Sequence, residues 1–414
     1  MKILVVNCHS DNRGDEAAIH AMVDELNKSF DKLDITLSVR GVGTQYPNMP
    51  PNVKMIHQFM PISKVAKIAH QFSVITSGKL VISHTEKILV DEIKSADLIL
   101  HAPGGPSIGD IYYDDEPTYL KIFDLIRVLR KPYIFYAPSM GPFNKIVRNR
   151  WRKKILNGAE EITLRDPISA EYLRKFLPQK KFHQTLDSAF QHDIDMEKNK
   201  EKLNSYNELK FFLASHEKCV GVTITDLLWH PIHSRNQVTV QKIHNSFQAF
   251  LKELADQGYG IVFIPQLYGK GNDYNLMNSF AIEETNFFTI SDSDERFDAY
   301  FQQYLISQLY AVIGMRYHSN IFSAKMGTPF ISVSYEQKMQ GFMEKQGIGQ
   351  YCLTLDDLSA EKLREKFELL TANYESYRTY LNEKHENMKK DAYQNTEIVI
   401  RILENKKRSK REYE

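Results

Sequence analysis

The feature that most constrains this chain is an order of elements that repeats along it. A short apolar run is followed by a polar or glycine-containing loop, and then by a segment with helical periodicity. The order begins with the apolar run at residues 3–6, recurs through residues 1–192, and starts again at residues 220–225. Because strands that alternate with helices favour a parallel sheet covered by helices, we expect an α/β protein.

The length of the chain predicts more than one domain. A chain of 414 residues is too long for a single hydrophobic core, and residues 193–208 are charged without a clear apolar period, as in a linker. We therefore expect two Rossmann-like domains, at residues 1–192 and 209–350, that face a central cleft. Residues 351–414 have helical spacing and are expected to form a helical tail that packs back on the first domain.

Composition limits the classes of protein to which this chain can belong. A formal net charge of +1 gives no general attraction to nucleic acid, and three widely separated cysteines form neither a disulfide framework nor a metal pattern. We read the N terminus as a first strand rather than a signal peptide, and no apolar run reaches the roughly 18 residues of a membrane helix. We expect a cytoplasmic protein, with the inner face of the membrane as the alternative place. Membrane contact is at most peripheral, through the basic tail at residues 405–414.

The stretch YAVIGMRYHSNIFSAKMGTPFISVSYEQK, at residues 310–338, predicts an anion site. Two apolar runs flank a short helical segment, which places Arg316 and His318 where a strand ends and a helix begins. Backbone N–H groups favour anions there, and ligands of open α/β sheets gather at that edge. Arginine adds a bidentate fork and histidine a titratable proton, and Lys338 is close enough in sequence to reach the same edge. The alternative is ordinary surface charge at a loop.

Other loops at predicted strand ends carry further candidate contacts. They hold Asp15, Gly104, Gly105, Ser139, Arg165, Gln266 and Asp273. Each has a structural alternative: Asp15 is a carboxylate favoured at a helix start, and Arg165 is a partner for a nearby carboxylate such as Asp166. The glycine pair alone makes a turn, and the polar residues at 266–273 shape a loop.

Acidic pairs invite a metal interpretation. They are Asp114 with Asp115, Asp193 with Asp195, and Asp292 with Asp294. None follows a convincing apolar strand, and His230 and His233 lack a helix to present them to a metal. We therefore expect no metal site.

Taken together, several stretches resemble the polysaccharide pyruvyl transferase family, whose members have the two-domain GT-B architecture. In chain order they are NRGDEAAI (12–19), HAPGGPSIGD (101–110), APSMGPF (137–143), LRDPISAEYL (164–173), DSAF (187–190), PQLYGKGND (265–273) and MRYHSNIFSAKMGTPFISVSYEQK (315–338). Each stretch alone is weak, but their order and spacing over residues 1–345 make the resemblance specific. The chain departs from it at Pro106, where a third glycine is common, and at residues 35–100.

The resemblance implies transfer of pyruvate from phosphoenolpyruvate to a sugar, usually as a ketal across two hydroxyls. The donor carries a phosphate and a carboxylate, which suit cationic side chains. By resemblance, Arg165, Arg316 and His318 hold the donor. Protonation of its methylene carbon needs an acid, either His318 or Lys338, and the sugar hydroxyl needs a base. For that base we expect Asp15, from the first domain.

The expected partners follow from the same resemblance. The acceptor is a saccharide, either lipid-linked or a repeat unit of a cell-envelope polysaccharide such as capsule or exopolysaccharide. Phosphoenolpyruvate is a substrate, and no cofactor is expected because protein cations stabilise the charge. Two alternatives stay open: a GT-B nucleotide-sugar glycosyltransferase, which needs a base and ribose pocket in the second domain, and a non-catalytic sugar-phosphate binder.

Overall fold

The computed structural model of the chain describes residues 1–9, 11–40, 46–234, 236–268, 272–280, 285–291 and 295–413. The chain forms two compact units. The first consists of Met1–Ser10, Ala18–His192 and Lys390–Glu414, and the second of Asp11–Ala17 and Asp193–Lys389. Two placements correct the expected boundaries. Asp15 and its neighbours belong to the second unit rather than the first domain, and residues 351–389 belong to the second unit rather than to a separate tail.

The first unit alternates strands and helices. In chain order its elements are β1 (Lys2–His9), α1 (Arg13–Ser29), β2 (Asp34–Arg40), β3 (Val53–His57), α2 (Lys64–Ile75), α3 (His84–Ser95), β4 (Leu98–His101), β5 (Gly104–Ile108), α4 (Glu116–Val128), β6 (Tyr133–Phe135), β7 (Pro138–Met140), α5 (Asn149–Gly158), β8 (Glu161–Leu164), α6 (Pro167–Phe176) and β9 (His183–Gln184). Short 3-10 helices lie at Ile146–Arg148 and Ser188–Phe190. The first turn of α1, up to Ala17, groups with the second unit.

A seven-stranded parallel sheet in the order β3-β2-β1-β4-β6-β8-β9 forms the centre of this unit, and β5 pairs with β7 in a separate two-stranded sheet. The apolar run in β1 is continuous because both faces of the sheet are covered. Leu4 and Val6 join one hydrophobic cluster, whereas Ile3 and Val5 join the cluster on the opposite face.

The second unit repeats the same plan. Its elements are α7 (Met196–Asn204), α8 (Asn207–Ser215), β10 (Cys219–Thr223), α9 (Gln237–Asp256), β11 (Gly260–Phe263), α10 (Asp273–Asn278), β12 (Phe287–Thr289), α11 (Ala299–Ser307), β13 (Ala311–Gly314), α12 (Tyr317–Met326), β14 (Phe330–Ser334), α13 (Gln337–Lys345), β15 (Cys352–Thr354), α14 (Ala360–Ala372) and α15 (Tyr374–Tyr413). Short 3-10 helices lie at Glu295–Phe297 and Gly349–Tyr351.

The strand order of the second sheet determines where its loops meet. The six strands run parallel in the order β12-β11-β10-β13-β14-β15. Chain order reverses between β10 and β13, so the loops that leave these two strands lie side by side at the carboxyl edge. Such a switch point is where open α/β sheets bind ligands. The stretch at residues 310–338 forms β13, α12 and β14, as its pattern predicts.

Two predicted segments have a different structure. Residues 193–208, expected to be a linker, contain α7, whose first turn is capped by the Asp195 side chain. The expected helical tail begins only after β15, which completes the second sheet, and it consists of α14 and the long helix α15.

The helix α15 contributes to both units. In the second unit, the Tyr377 hydroxyl donates to the Phe330 carbonyl at 3.1 Å. In the first unit, the Thr185 hydroxyl donates to Asn395 Oδ1 at 2.8 Å, and Val399 and Leu403 enter the hydrophobic core. Residues 395–403 therefore help to hold the first unit together. Within the described part of the chain, no helix is both long enough and apolar enough to cross a membrane.

Candidate active site

The backbone between β13 and α12 is fixed by side chains from neighbouring elements. The Thr223 hydroxyl, at the end of β10, accepts the N–H groups of Met315 at 3.1 Å and Arg316 at 3.2 Å. The Ser319 hydroxyl donates to the Arg316 carbonyl at 2.7 Å. Arg316 is the N-cap of α12, and its side chain does not cap the helix. The first-turn N–H groups of α12 therefore begin at the switch point, where they favour an anion.

The Arg316 guanidinium is buried and oriented by Asp273. Its Nε lies 3.1 Å from Asp273 Oδ2, and its Nη2 donates to Asp273 Oδ1. Asp273 Oδ2 also accepts the N–H groups of Gln266 at 3.1 Å and Leu267 at 2.9 Å. Burial alone lowers the pKa of Arg316, but the Asp273 charge outweighs it and raises that pKa. Asp273, predicted as a substrate contact, thus holds Arg316 and its own loop in place. Within that loop, residues 269–271 lie outside the described residues.

Two aromatic rings stand next to this pair. The Arg316 guanidinium carbon is 4.9 Å from the centroid of the Trp229 ring, a cation–π distance. The Trp229 indole N–H donates to the Thr225 hydroxyl at 2.9 Å, and Tyr335 meets the indole edge-on at 6.1 Å between centroids. Burial and the Glu336 charge raise the pKa of Tyr335. The site therefore combines a fixed cation with partly exposed aromatic faces.

His318 lies in direct contact with the start of α1. A Cβ atom built on Gly14 would lie 1.8 Å from His318 Nδ1 and 2.0 Å from its Cγ, so only glycine fits. The imidazole itself is buried. Since Asp15 is the next residue, this close approach brings the predicted base and the predicted acid into one neighbourhood of the second unit.

The segment around Asp15 is anchored by its other side chains. Arg13 and Glu16 form a buried ion pair at 2.7 Å, and the Arg13 guanidinium lies 4.2 Å from the Tyr268 ring centroid. The Tyr268 hydroxyl donates to Glu16 at 3.2 Å, and Arg13 N–H donates to the Gln266 carbonyl at 2.8 Å. Gln266, predicted as a substrate contact, is buried here.

Asp15 itself is partly exposed. The Asn12 side chain accepts the backbone N–H of Gly14 at 2.8 Å and of Asp15 at 3.3 Å, which fixes the turn. Within the described residues, no hydrogen bond or ion pair occupies the Asp15 carboxylate. A partly exposed carboxylate on an anchored backbone suits a general base.

Lys338 is held at the start of α13 by a buried carboxylate. Its Nζ lies 2.5 Å from Glu336 Oε2, and Glu336 Oε1 lies 2.7 Å from His230 Nε2. Burial alone raises the pKa of Glu336, but the Lys338 charge and the His230 hydrogen bond lower it from 4.5 to about 2. Lys338 Nζ also lies 5.8 Å from the Tyr317 ring centroid. Glu336 therefore stays ionised and fixes the ammonium group.

The predicted residues of the first unit form a group of their own. Arg165, just after β8, is buried; its Nε donates to Ser139 Oγ at 2.9 Å, and its Nη1 donates to Asp187 Oδ2 at 2.6 Å. The expected alternative partner, Asp166, instead caps α6 by accepting the Ser169 N–H at 2.7 Å. Arg165 is thus fixed by Asp187, which sequence reasoning did not single out for this role.

The glycine pair lies beside this group. Residues 104–108, expected to be a loop, form β5, in which Gly104 pairs with Pro138 next to Ser139. Gly104 has φ of +135°, which favours glycine, whereas a Cβ atom on Gly105 would meet nothing within 4 Å. Gly104 is therefore required by the backbone, and Gly105 leaves open space.

The described residues contain no group of three or more metal-ligating side chains. Asp115 pairs with Arg40 at 3.2 Å, and Asp195 caps α7. The pair Asp292 and Asp294 lies outside the described residues.

Sequence reasoning missed several residues that position the site. They are Arg13, Gly14, Glu16, Asp187, His230, Tyr268 and Glu336. The i, i+3 spacing of Arg13 and Glu16 is the signal for a helical ion pair. The contact between Gly14 and His318 had no local signal.

Comparison with known proteins places this geometry in a family. The sequence model of the family described as "Polysaccharide pyruvyl transferase" matches residues 12–337, which is most of the chain. The chain belongs to the polysaccharide pyruvyl transferase family. A curated relative, "Amylovoran biosynthesis protein AmsJ" of Erwinia amylovora, is 22% identical over 398 residues, covering 91% of this chain and 93% of that protein. The predicted family and enzyme class are confirmed.

Solved structures show the fold. A UDP-GlcNAc 2-epimerase from Neisseria meningitidis, bound to UDP-GlcNAc, has a TM-score of 0.62 at 12% identity, covering 98% of this chain and all of that one. A UGT transferase from Siraitia grosvenorii in complex with UDP has a TM-score of 0.59 at 11% identity, covering 97% and 99%. The polysaccharide pyruvyl transferase fold seen here is therefore GT-B-like, as predicted; identities this low carry no further argument.

Proposed function

We propose that this chain transfers a pyruvyl group from phosphoenolpyruvate to a pair of saccharide hydroxyls, forming a pyruvate ketal during exopolysaccharide biosynthesis. The observation that carries the proposal is the grouping of three cationic or titratable side chains in the second unit. Arg316, His318 and Lys338 follow adjacent strands, and α1 presses Gly14 against His318. A donor with a phosphate and a carboxylate matches these cations and the N termini of α12 and α13.

In the first step, Arg316 and the first-turn N–H groups of α12 bind the donor's anionic groups. Asp273 orients the guanidinium before the donor arrives, so little reorganisation is needed. Lys338, held by ionised Glu336, supplies a fixed positive charge. Phosphoenolpyruvate is the substrate, and these protein cations supply the charge stabilisation without a cofactor or metal.

In the chemical step, His318 donates a proton to the methylene carbon of the donor, which becomes the methyl group. The central carbon then accepts the oxygen of a sugar hydroxyl, whose proton passes to Asp15. The bond from that carbon to the phosphate oxygen breaks, and inorganic phosphate leaves with its electron pair. The neighbouring hydroxyl forms the second carbon–oxygen bond, and its proton passes to the phosphate released. We assign the acid to His318 because Lys338 is paired with Glu336 at 2.5 Å, which suits a fixed positive charge.

Arg165 remains a predicted donor contact that rests on the family resemblance. The first unit fixes it rigidly between Ser139 and Asp187. Replacing Arg165 with lysine removes the planar fork while keeping the charge, so the Michaelis constant for phosphoenolpyruvate should rise if Arg165 binds the donor. An unchanged constant would remove it from the donor site.

The AmsJ relative acts in amylovoran biosynthesis, as its name states, and we infer a saccharide acceptor of the same broad kind. A lipid-linked repeat unit on the cytoplasmic face of the membrane is our proposal for its form. Thermal stability measured with phosphoenolpyruvate and with UDP-GlcNAc decides the donor class, because a ligand stabilises the state that binds it. Stabilisation by phosphoenolpyruvate alone is expected. Stabilisation by the nucleotide sugar alone would replace the proposal with a glycosyltransferase, and phosphoenolpyruvate binding without phosphate release for any glycan would indicate a binder.

A further inference from the structure

The helix α2 of the first unit carries an exposed apolar stripe. Ile62, Val65, Ile68, Phe72 and Ile75 recur three or four residues apart, and their side chains are between 47% and 78% exposed. That spacing places the four members on the helix along one face. The opposite face, with Ala69, His70 and Ser73, is the buried one.

The turn after α2 extends the same apolar surface. Leu80 and Ile82 are 53% and 65% exposed. A single exposed apolar residue needs no explanation, but a continuous stripe of them marks an interaction surface. We define the docking surface as Ile62, Val65, Ile68, Phe72, Ile75, Leu80 and Ile82.

The exposed charged side chains within residues 58–90 are basic, and the exposed acidic residue Asp91 follows on α3. Residues 58–90 contain Lys64, Lys67, Lys79 and Lys87 as exposed side chains. The acidic residue in that range, Glu86, is buried and lies 2.8 Å from His70. Burial and the nearby Lys67 charge lower the pKa of Lys121 on α4, and the Asp124 charge acts in the opposite direction.

A second apolar protrusion belongs to the same layer of helices. Ile146 and Val147, just before α5, are 79% and 85% exposed. The helix α4 packs against both α2 and α5, and all three contribute to one hydrophobic cluster. The layer thus displays exposed apolar residues at two places, next to basic side chains.

We propose that the docking surface binds the chain to an anionic lipid bilayer, with α2 lying in the plane of the interface. An apolar stripe flanked by lysines is the pattern of helices that lie in the headgroup region of such membranes. A second copy of the chain fits less well, because a symmetric contact through α2 would bring the same lysines against each other. This membrane binding goes beyond the proposed function, and it does not depend on which donor the chain uses.

The test is flotation of the full chain with vesicles of phosphatidylcholine, with or without phosphatidylglycerol, in the absence of donor and acceptor. The wild type should bind the vesicles that contain phosphatidylglycerol, and more weakly at high salt. Changing Val65, Ile68 and Phe72 together to serine should reduce the partition coefficient by at least about tenfold. Changing Lys64, Lys67 and Lys79 together to glutamine should reduce it roughly 100-fold.

The control variants change apolar residues of the second unit that are also strongly exposed. Phe211→Ser and Val238→Ser replace side chains that are 76% and 79% exposed, and both variants should bind vesicles like the wild type. The thermal unfolding of every variant checks the fold. If the serine variant unfolds, Phe72→Trp provides a second measurement, because brominated lipid should quench the fluorescence of the new indole.

Several outcomes would contradict the proposal that the docking surface binds an anionic bilayer. They are a wild type that does not bind vesicles, a serine variant that binds as well as the wild type, and a Phe72→Trp variant whose added fluorescence brominated lipid does not quench. Sedimentation that shows a dimer, abolished by the serine changes, would assign the surface to self-association instead. Because no substrate is present, none of these results depends on whether phosphoenolpyruvate is the donor.

Discussion

At Gly14 the backbone of α1 lies so close to His318 that a methyl group has no space. The nearest imidazole atom would be 1.8 Å from the added carbon. Gly14→Ala should therefore displace the imidazole or the start of α1, with a loss of about 1–3 kcal/mol in unfolding free energy and of about 100-fold in turnover. Transfer assays and urea unfolding measure both.

Gly349→Ala is the matched control for this substitution. An added carbon at Gly349 would come no closer than 3.9 Å to its nearest neighbour, in the same unit, so stability and turnover should stay near those of the wild type. If the two alanine variants have the same turnover, the contact between Gly14 and His318 has no part in catalysis.

The ion pair of Arg316 and Asp273 predicts that substitutions can change the free energy of unfolding and the binding of phosphoenolpyruvate in different ways. Asp273→Asn keeps an acceptor for the loop N–H groups but leaves the buried guanidinium without its counter-charge. We expect a loss of about 3–5 kcal/mol in the free energy of unfolding, and weaker binding of phosphoenolpyruvate in calorimetry.

Adding Arg316→Gln to Asp273→Asn removes the uncompensated charge. The double variant should regain part of the lost stability but bind no phosphoenolpyruvate, because the cation that grips the donor is gone. Donor binding by the double variant at wild-type affinity would exclude Arg316 from the donor site.

At the scale of elements, the ion pair at the start of α13 predicts that the free energy of unfolding depends on pH. Burial raises the pKa of Glu336, but Lys338 and His230 outweigh it and lower that pKa from 4.5 to about 2. Glu336 therefore contributes stability above about pH 4.5 that is lost as the pH falls toward about 2. Glu336→Gln should cost on the order of 3 kcal/mol at neutral pH. The difference from the wild type should shrink in that acidic window.

Urea unfolding across this pH range is the measurement, and Glu344→Gln, an exposed carboxylate on the same helix, is the control. A difference between wild type and Glu336→Gln that grows on acidification would mean that Glu336 is not held in its ionised form.

Helices and strands were predictable from the sequence where the apolar periodicity and the residues that end such elements agree. The order β13-α12-β14 was predictable because Gly314 and Gly327 break two apolar runs, and Gly327 ends α12 with φ of +68°. Helix α7 was not predictable in the same way, since Asn199 is its buried residue and it offers no apolar stripe. The local signal for α7 was Asp195, a residue type that caps helix N termini, and the apolar pattern does not take such residues into account.

At the scale of the whole molecule, chain order did not reveal that residues 11–17 belong to the second unit. Their placement depends on contacts between residues far apart in sequence, such as Tyr268 with Glu16 and Ala299 N–H with Glu16 at 2.8 Å. Periodicity reports burial within one segment and cannot report which distant segment covers it. The same limit applies to Asp187, whose role is seen only once Arg165 lies beside it.

The end of α15 predicts an effect of truncation on the first unit. A chain ending at residue 389 lacks Asn395, which bonds Thr185, and the core side chains Val399 and Leu403. Its first unit should lose amide-exchange protection, because these buried contacts are gone. Ending the chain at residue 404 keeps all three and is the control. Equal protection in both truncated chains would contradict a structural role for the end of α15.

The most direct test of the account is the transfer reaction run in deuterium oxide with phosphoenolpyruvate and a synthetic glycoside bearing two neighbouring hydroxyls. The product, examined by mass spectrometry and NMR, should carry one pyruvyl ketal with one solvent deuteron in its methyl group, and one phosphate should be released per ketal. His318→Asn should abolish this product while still binding phosphoenolpyruvate. A glycoside that gains no pyruvyl group and releases no phosphate, or a ketal that His318→Asn forms at the wild-type rate, would contradict the account.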